Sequence, residues 1–398
     1  MGKKKVVVLG TSSFQEPLIQ DLKALGYFVI GIDKNSNSSG RNICDYFVNF
    51  DIADWKSCLE VAVTNKVICA ISVASEIASL SSSRINRSLG LPTNKDFVHE
   101  IFVNKLYMRR VFEFADIPII RSQYFENGYE LFDKANNLVF PLVMKPLRSA
   151  GSRGVTKVLD QIGLQYSLQE VLKYGSDFLI EDFVEGTEIS IDGIFQDGSF
   201  LELMSSDKIR SEPPHLIDTF ITFPSMYSRE ILSEACKIIE KVCKTSGVRR
   251  AVIHSEFLIN SSGIFLVEMA LRGAGFNVFS RMIPQLTGIN TSELLLNLAL
   301  GKKISISTSK LNMHGILAFP SFGLGKIIKI DDLNLQNAPA QLIEYKIHKG
   351  IGDTIDRLKS GSDRPAHLMI VSDNKDLCNS AYEKALENIK ISFLKNQM

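Results

Sequence analysis

Two glutamates in the stretch Ala251 to Gly275, AVIHSEFLINSSGIFLVEMALRGAG, have the types and spacing to do chemistry together. β-Branched and aromatic residues dominate on either side of Asn260-Ser261-Ser262-Gly263, which predicts two strands joined by a short polar turn. With Ser261, Ser262 and Gly263 as a three-residue loop carrying glycine in the left-handed position, Asn260 pairs with Ile264 and Glu256 falls opposite Glu268. Like charges directly opposite on a sheet repel, so the arrangement makes sense chiefly with a divalent cation between them. Hard oxygen ligands suit magnesium, which keeps several waters and also binds a nucleotide's phosphates. The alternative is a solvated sheet face with both glutamates in water. His254 falls on the same hairpin face as Glu256, which lifts it above a buried structural histidine.

Such a hairpin needs a large scaffold, and 398 residues provide one with room for two to four domains. Apolar residues at 45% and a formal charge of +1 are those of an ordinary globular protein, with nothing to draw it to nucleic acid or a charged membrane. The start, Met1-Gly2-Lys3-Lys4-Lys5 and then VVVLG, is expected to be a first strand, because its apolar run is too short for a signal peptide. Val6 stands where a myristoylation motif wants Ser or Thr, and no later run is long and apolar enough to span a bilayer. Six cysteines without C-x-x-C spacing read as reduced packing thiols of a cytoplasmic protein.

In chain order, residues 4 to 10, Phe14 to Leu25 and Tyr27 to Ile32 predict a βαβ unit. Its GTSSFQEP turn lacks the three-glycine dinucleotide fingerprint, so a parallel sheet with no nucleotide of its own is expected, although Asp33 sits where a ribose-binding acid would. A strand at Val67 to Val73 ends in Ala74-Ser75-Glu76, where Ser75 and Glu76 would either grip a substrate amine or hydroxyl or simply begin a helix with Ser75 as its cap. Asn104 to Arg109 reads as helix and Val139 to Met144 as a strand leading to Lys145-Pro146. The loop Arg148-Ser149-Ala150-Gly151-Ser152-Arg153-Gly154-Val155 follows, small and rich in donors. It can fold over phosphates with few side chains in the way, and Lys145 stands just before it as a point charge. Phe178 to Glu181 is another strand, followed by Asp182-Phe183-Val184-Glu185-Gly186-Thr187-Glu188, whose apolar pair between acids can hold a purine. Glu188 to Gly193 alternates as an antiparallel strand that turns at Gln196-Asp197-Gly198 and returns as Phe200 to Ser205.

Taken in order, Asn-Lys in a helix, V-M-K-P, a Gly/Ser-rich loop, E-D-F-V-E-G-T-E, then H-S-E-F and V-E-M-A-L-R-G-A-G, these motifs resemble the ATP-grasp superfamily. The resemblance spans about Lys105 to Leu300 and implies a mixed α/β and α+β architecture. Residues 1–100 would be a parallel α/β pre-ATP-grasp domain, 101–300 the ATP-grasp domain with a lid at about 140–190, and 301–398 a small β-rich C-terminal domain. It also implies that Lys105 and Lys145 meet the phosphates of ATP, that the loop carrying Ser152 and Gly154 closes over them, and that Glu181, Phe183 and Val184 hold adenine with Glu188 on the ribose. Glu256 and Glu268 would ligate magnesium, with manganese as a substitute, and Arg272 would stabilise charge growing during transfer. Many members carry asparagine two residues after the second glutamate; here that position is Ala270, which leaves a second magnesium less securely held.

The segment Ser205 to Ser225 resembles the substrate-facing strand of amino-acid ligases, which makes Lys208, Arg210 and His254 candidates for neutralising a carboxylate. The remaining histidines considered, His215, His314, His348 and His367, read as surface or hydrogen-bonded residues. The expectation is an ATP-dependent ligase that turns a small carboxylate into an acyl phosphate for attack by an amine, with a homodimer among the assemblies the resemblance allows. A bicarbonate-using enzyme and a catalytically silent nucleotide-binding protein are the alternatives, and a biotin-dependent enzyme is disfavoured because no biotinyl carrier segment is seen.

Overall fold

The computed structural model describes residues 2–134, 137–307, 312–331 and 339–394. Near the N-terminus, Lys5–Leu9 pairs in parallel with both Phe28–Ile32 and Cys69–Ile71, and Tyr46–Val48 completes a four-stranded parallel sheet. Both faces of such a sheet are covered, which is why Val6 to Leu9 is an unbroken apolar run with every side chain buried. The expected first helix is Glu16–Ala24, started by Pro17 near its N-terminus and followed by Gly26 in the left-handed region.

A second, antiparallel sheet of four strands runs in the order Ser122–Phe125, Phe178–Asp182, Leu142–Pro146, Thr156–Val158. It has its own core of Phe125, Leu131, Met144, Val158, Leu168, Phe178 and Ile180. This small sheet covers much of the stretch 140–190 where a lid was expected, and it begins at 122 because Ser122–Phe125 supplies its edge strand.

The largest sheet has eight strands in the order Gly263–Ala270, Arg250–Asn260, Thr187–Gln196, Ser199–Arg210, Asp218–Phe223, His314–Ala318, Ala366–Ser372, Leu342–Ile347. The C-terminal region is β-rich as expected, but most of it extends the central sheet. Asp218–Phe223 pairs with His314–Ala318, and only Thr354–Ile355, Gly325–Asp331 and Lys390–Phe393 form a separate small sheet. One core cluster accordingly runs from Val6 and Leu18 through Ile194, Val252 and Phe279 to Leu317 and Met369. The other face of the sheet packs on the helix Arg229–Ser246, whose Leu232, Ala235, Ile239, Val242 and Ser246 recur at helical spacing. Ser228 caps this helix and Gly247, at φ +77°, ends it. No helix among the described residues is long and apolar enough to cross a membrane.

Candidate active site

The hairpin strands Arg250–Asn260 and Gly263–Ala270 place Glu256 opposite Glu268, but by a different route from the one expected. The loop is two residues, Ser261 and Ser262, with Asn260 paired to Gly263; the extra residue is a bulge at Val267, between Leu266 and Glu268. Arg109 holds the bulge, its Nη2 donating to Val267 O at 2.8 Å. The strand register then brings further groups onto the same face: His254 lies beside Asp192, Glu256 beside Ser190, and Lys208 beside Glu188. The polar residues of Glu188-Ile189-Ser190-Ile191-Asp192 alternate, so one face of the sheet is a row of chemistry and the other is core.

Lys208 is the centre of that row, 3.1 Å from Glu188, 3.3 Å from Asp218 and in direct contact with Glu256. Arg210 meets the other oxygen of Glu188 at 2.6 Å. Burial opposes a charged Lys208, but three carboxylates outweigh it and hold the ammonium well above the ordinary lysine range. Burial, together with the charge of Glu256, pushes Glu188 up despite its two cations, whereas Lys208 and His254 hold Glu256 down against burial. His254 donates toward Asp192 at 3.0 Å and lies 3.5 Å from Glu256; these acids overcome burial and raise it to about 9. The sequence reading gave Lys208, Arg210 and His254 to a substrate carboxylate. The structure instead engages the first two on the protein's own acids, because Asp218 and Glu188 converge there from separate strands.

Glu188, Asp218 and Glu256 present oxygens that all lie within 4.8 Å of one another, hard donors of the kind magnesium takes, with the Lys208 ammonium already among them and Glu268 outside the group. Glu256 uses Oε1 for Lys208 and His254, so Oε2 is its available donor. Glu268 has a different neighbour: Lys105 Nζ stands 3.4 Å away. Thus the register pairs Glu256 with Glu268 while adding two acids that the sequence reading did not count as metal ligands.

The nucleotide-side candidates gather around Lys105, at the first position of the helix Lys105–Phe114 capped by Asn104. Its backbone N–H donates to Leu147 O at 3.0 Å and its ammonium to Ser149 O at 2.7 Å, so one residue joins the loop to Glu268. Lys145 is buried against Glu181 at 2.5 Å, and Arg109 forks onto the same carboxylate at 2.7 and 3.2 Å. Burial, helped by Arg109, drops Lys145 to about 8, and the two cations bring Glu181 to about 2 against its own burial. The carboxylate of Glu181 is therefore occupied by Lys145 and Arg109, and its backbone lies in an interior strand paired with Val143 and Ser122. Phe183 carries Lys157 over its ring at 3.5 Å, and its N–H donates to Pro141 O; Val184 follows it in a half-buried loop.

In the loop itself Gly151, Ser152 and Gly154 have φ of +66°, +59° and +72°, and a Cβ at Gly154 would meet the Tyr174 ring at 2.6 Å. The hydroxyls of Ser149 and Thr156 are buried without a partner among the described residues, which fits a site shaped for phosphate oxygens. Arg272 pairs with Glu76 at 2.6 Å and donates to Gly273 O at 3.0 Å. Ser75 caps the helix Glu76–Ser88, so of the two readings for Ser75 the cap is the one realised. Asp33 accepts from the backbone of Thr11 and Asn35 at 2.8 Å each, which occupies it within its own loop.

Asp192, Asp218, Arg109, Phe276 and Arg364 had no role assigned from sequence. Only Asp192 carried a signal, its place in the alternating strand. Phe276 and Asn277 are consecutive left-handed residues at φ +49° and +57°, the phenyl ring held by Phe14, Phe319 and Arg364.

Residues 138–279 match an ATP-grasp domain model, and residues 319–393 match L-amino acid ligase C-terminal domain 2. The chain is 25% identical over 295 residues to dapdiamide A synthase of Enterobacter agglomerans, covering 69% of this chain and 68% of that protein. An L-amino acid ligase from Bacillus licheniformis superposes with a TM-score of 0.83 at 18% identity, over 99% of this chain and 100% of the other. The biotin carboxylase domain of a Hydrogenobacter thermophilus 2-oxoglutarate carboxylase, solved with MgADP and bicarbonate, gives 0.74 at 17% identity over 99% and 92%. The chain therefore carries an ATP-grasp domain at residues 138–279 and an L-amino acid ligase type C-terminal domain at residues 319–393.

Proposed function

We propose that this protein is an ATP- and magnesium-dependent ligase that activates a small carboxylate as an acyl phosphate, which an amine then attacks. The observation that carries the reading is Lys105, which ties the phosphate loop at Ser149 to Glu268 on the acidic wall. A nucleotide's phosphates laid along that lysine would run from the loop to the carboxylates. Lys105, Lys145 and the loop N–H groups of Ser152 and Gly154 would bind them, with adenine at the strand end of Glu181, Phe183 and Val184. Glu268 and Glu256 would hold magnesium, with Glu188 or Asp218 as further donors, and the bound ion would offset charge during transfer.

In the first step a carboxylate oxygen of the acid bonds to the γ-phosphorus as the bond to the ADP oxygen breaks. Arg272, fixed by Glu76, faces the charge that moves. In the second step the amine nitrogen attacks the acyl carbon, phosphate leaves with the bonding pair, and the nitrogen gives up a proton. His254, charged at neutral pH, acts as a fixed cation and not as a base. Catalysis rests on positioning and charge, with no nucleophilic side chain.

The test is hydroxylamine trapping: ATP, magnesium and the correct acid should yield a hydroxamate and ADP without any amine. Glu268→Gln should lower that product by ~10²-fold or more. Full activity of Glu268→Gln would remove it from the metal site. Bicarbonate-dependent ATP turnover with no hydroxamate from any organic acid would replace the ligase reading with a bicarbonate-using one.

A further inference from the structure

Among the described residues, Lys105, Arg109, Lys145, Lys208 and Arg364 are the lysines and arginines that are less than a tenth exposed. The first four each have a carboxylate oxygen within 4.0 Å, and Arg364 has none. A buried guanidinium with no carboxylate in direct contact is costly, and here the charges of Asp218 and Glu256 offset the burial only from farther away. Arg364 Nε and Nη2 both donate to Asp218 O, at 3.0 and 2.7 Å, from 146 residues away in sequence. Phe319 and Phe276 flank it at 3.8 and 4.6 Å from the ring centroids. Among the described residues Nη1 has no hydrogen-bond partner, and the side chain lines a cavity of about 420 Å³ shared with Lys208, His254, Asp218 and Glu256. Burial lowers Arg364 only to about 10, so it keeps its charge at neutral pH.

The other cations of that cavity are already matched, His254 to Asp192 and Lys208 to Asp218, Glu188 and Glu256. Among the described residues Arg364 is thus the cation of this cavity with no carboxylate within 4.0 Å. It borders the transfer centre through Glu256 and Asp218, whereas Arg272 does not line this cavity and Lys105 and Glu268 mark the phosphate side. The apolar walls beside it, Ile221 and Leu317, suit a short carbon chain.

We propose that Arg364 binds a second, non-reacting carboxylate of the acid substrate, so that the acid activated here is a short dicarboxylate or an acidic amino acid. This rests on the ligase reading above. The reacting carboxylate lies toward Arg272 and the γ-phosphate, while the distal one takes the open edge of Arg364. A preorganised guanidinium reading one carboxylate gives a selectivity of about 10²-fold over the analogue lacking it.

The experiment compares matched mono- and dicarboxylic acids of equal chain length, with ATP, magnesium and hydroxylamine, in the wild type, Arg364→Gln and Arg364→Lys. The wild type should favour dicarboxylates in kcat/KM by about 10²-fold, mainly through KM. Arg364→Gln, whose planar amide can still sit between the two rings, should bring the ratio near one, and Arg364→Lys should restore part of it. ATP binding by calorimetry verifies that each variant is folded. Equal use of both acid classes by the wild type would overturn the proposal without any variant. So would an unchanged ratio in Arg364→Gln, or a loss seen only with amino-acid acceptors and not with hydroxylamine, which would place Arg364 on the amine. A wild type that makes no hydroxamate from any acid would instead refute the ligase reading itself.

Discussion

His254 carries a proton at neutral pH because Asp192 and Glu256 flank a ring that burial alone would have kept neutral. Its folded value of about 9 lies above the ordinary 6.5, so its contribution to stability is fully present below pH 6.5 and disappears as pH rises through 9. The shift corresponds to roughly 3 kcal/mol. Carbon-detected NMR of the imidazole should show a midpoint near 9, and the stability gap between wild type and His254→Gln should shrink between pH 6.5 and 9.5. A midpoint near 6.5 would mean that the ring does not share its proton with Asp192. The acid limb has the opposite sense: Glu181, held at about 2, contributes stability above pH 4.5 that is lost as pH falls toward 2.

The bulge at Val267 shows how an element takes its final shape from a residue outside it. A uniform two-residue hairpin would set Glu256 against Val267; the bulge moves Glu268 into that place. Arg109, on the helix Lys105–Phe114, anchors the bulge carbonyl and forks onto Glu181 in the small sheet, joining hairpin to that sheet. Arg109→Lys keeps the charge but loses the fork, so at most one of these contacts survives. Urea unfolding should show a loss of about 2–4 kcal/mol, from a buried carboxylate left partly unmatched. Magnesium should also activate ADP formation less steeply, since Glu268 loses its fixed register. An unchanged magnesium response with full stability would mean the bulge holds without Arg109.

Across the whole molecule the small sheet of residues 122–182 has a core of its own. Its bonds to the body include three beyond the contacts of Lys105 and Arg109. Gly361 N–H donates to Gly151 O at 3.0 Å, Lys157 N–H to Pro214 O at 2.7 Å, and Tyr166 meets His215 at 2.9 Å. Gly361 begins a short turn closed by a capping box between Ser360 and Asp363, a first helical position that tolerates proline. Gly361→Pro therefore deletes the N–H that grips the loop at Gly151 with little change to the turn. The expected result is a KM for ATP raised by about 10-fold, from the loss of one hydrogen bond, and faster proteolysis at Arg148 to Gly154. Unaltered KM and unaltered cleavage would show that the loop closes without this contact.

Sequence alone determined the order of elements, since apolar runs and strand alternation report burial locally, and it located the loop at 148–155, since glycine at Gly154 is demanded by backbone shape. It also put Glu256 opposite Glu268, although the assumed three-residue loop and the missed bulge compensated for one another. Tertiary structure decided what each charge does. Lys208 and Arg210 look available in the sequence because Glu188 lies 20 residues from Lys208, and only sheet pairing brings the two together. Arg364 drew no role from the sequence, and its lack of a direct carboxylate partner arises only because the carbonyl of Asp218 and the rings of Phe276 and Phe319 surround it. Periodicity is a property of neighbours along the chain. Charge balance is a property of neighbours in space, and only the packed sheets set it.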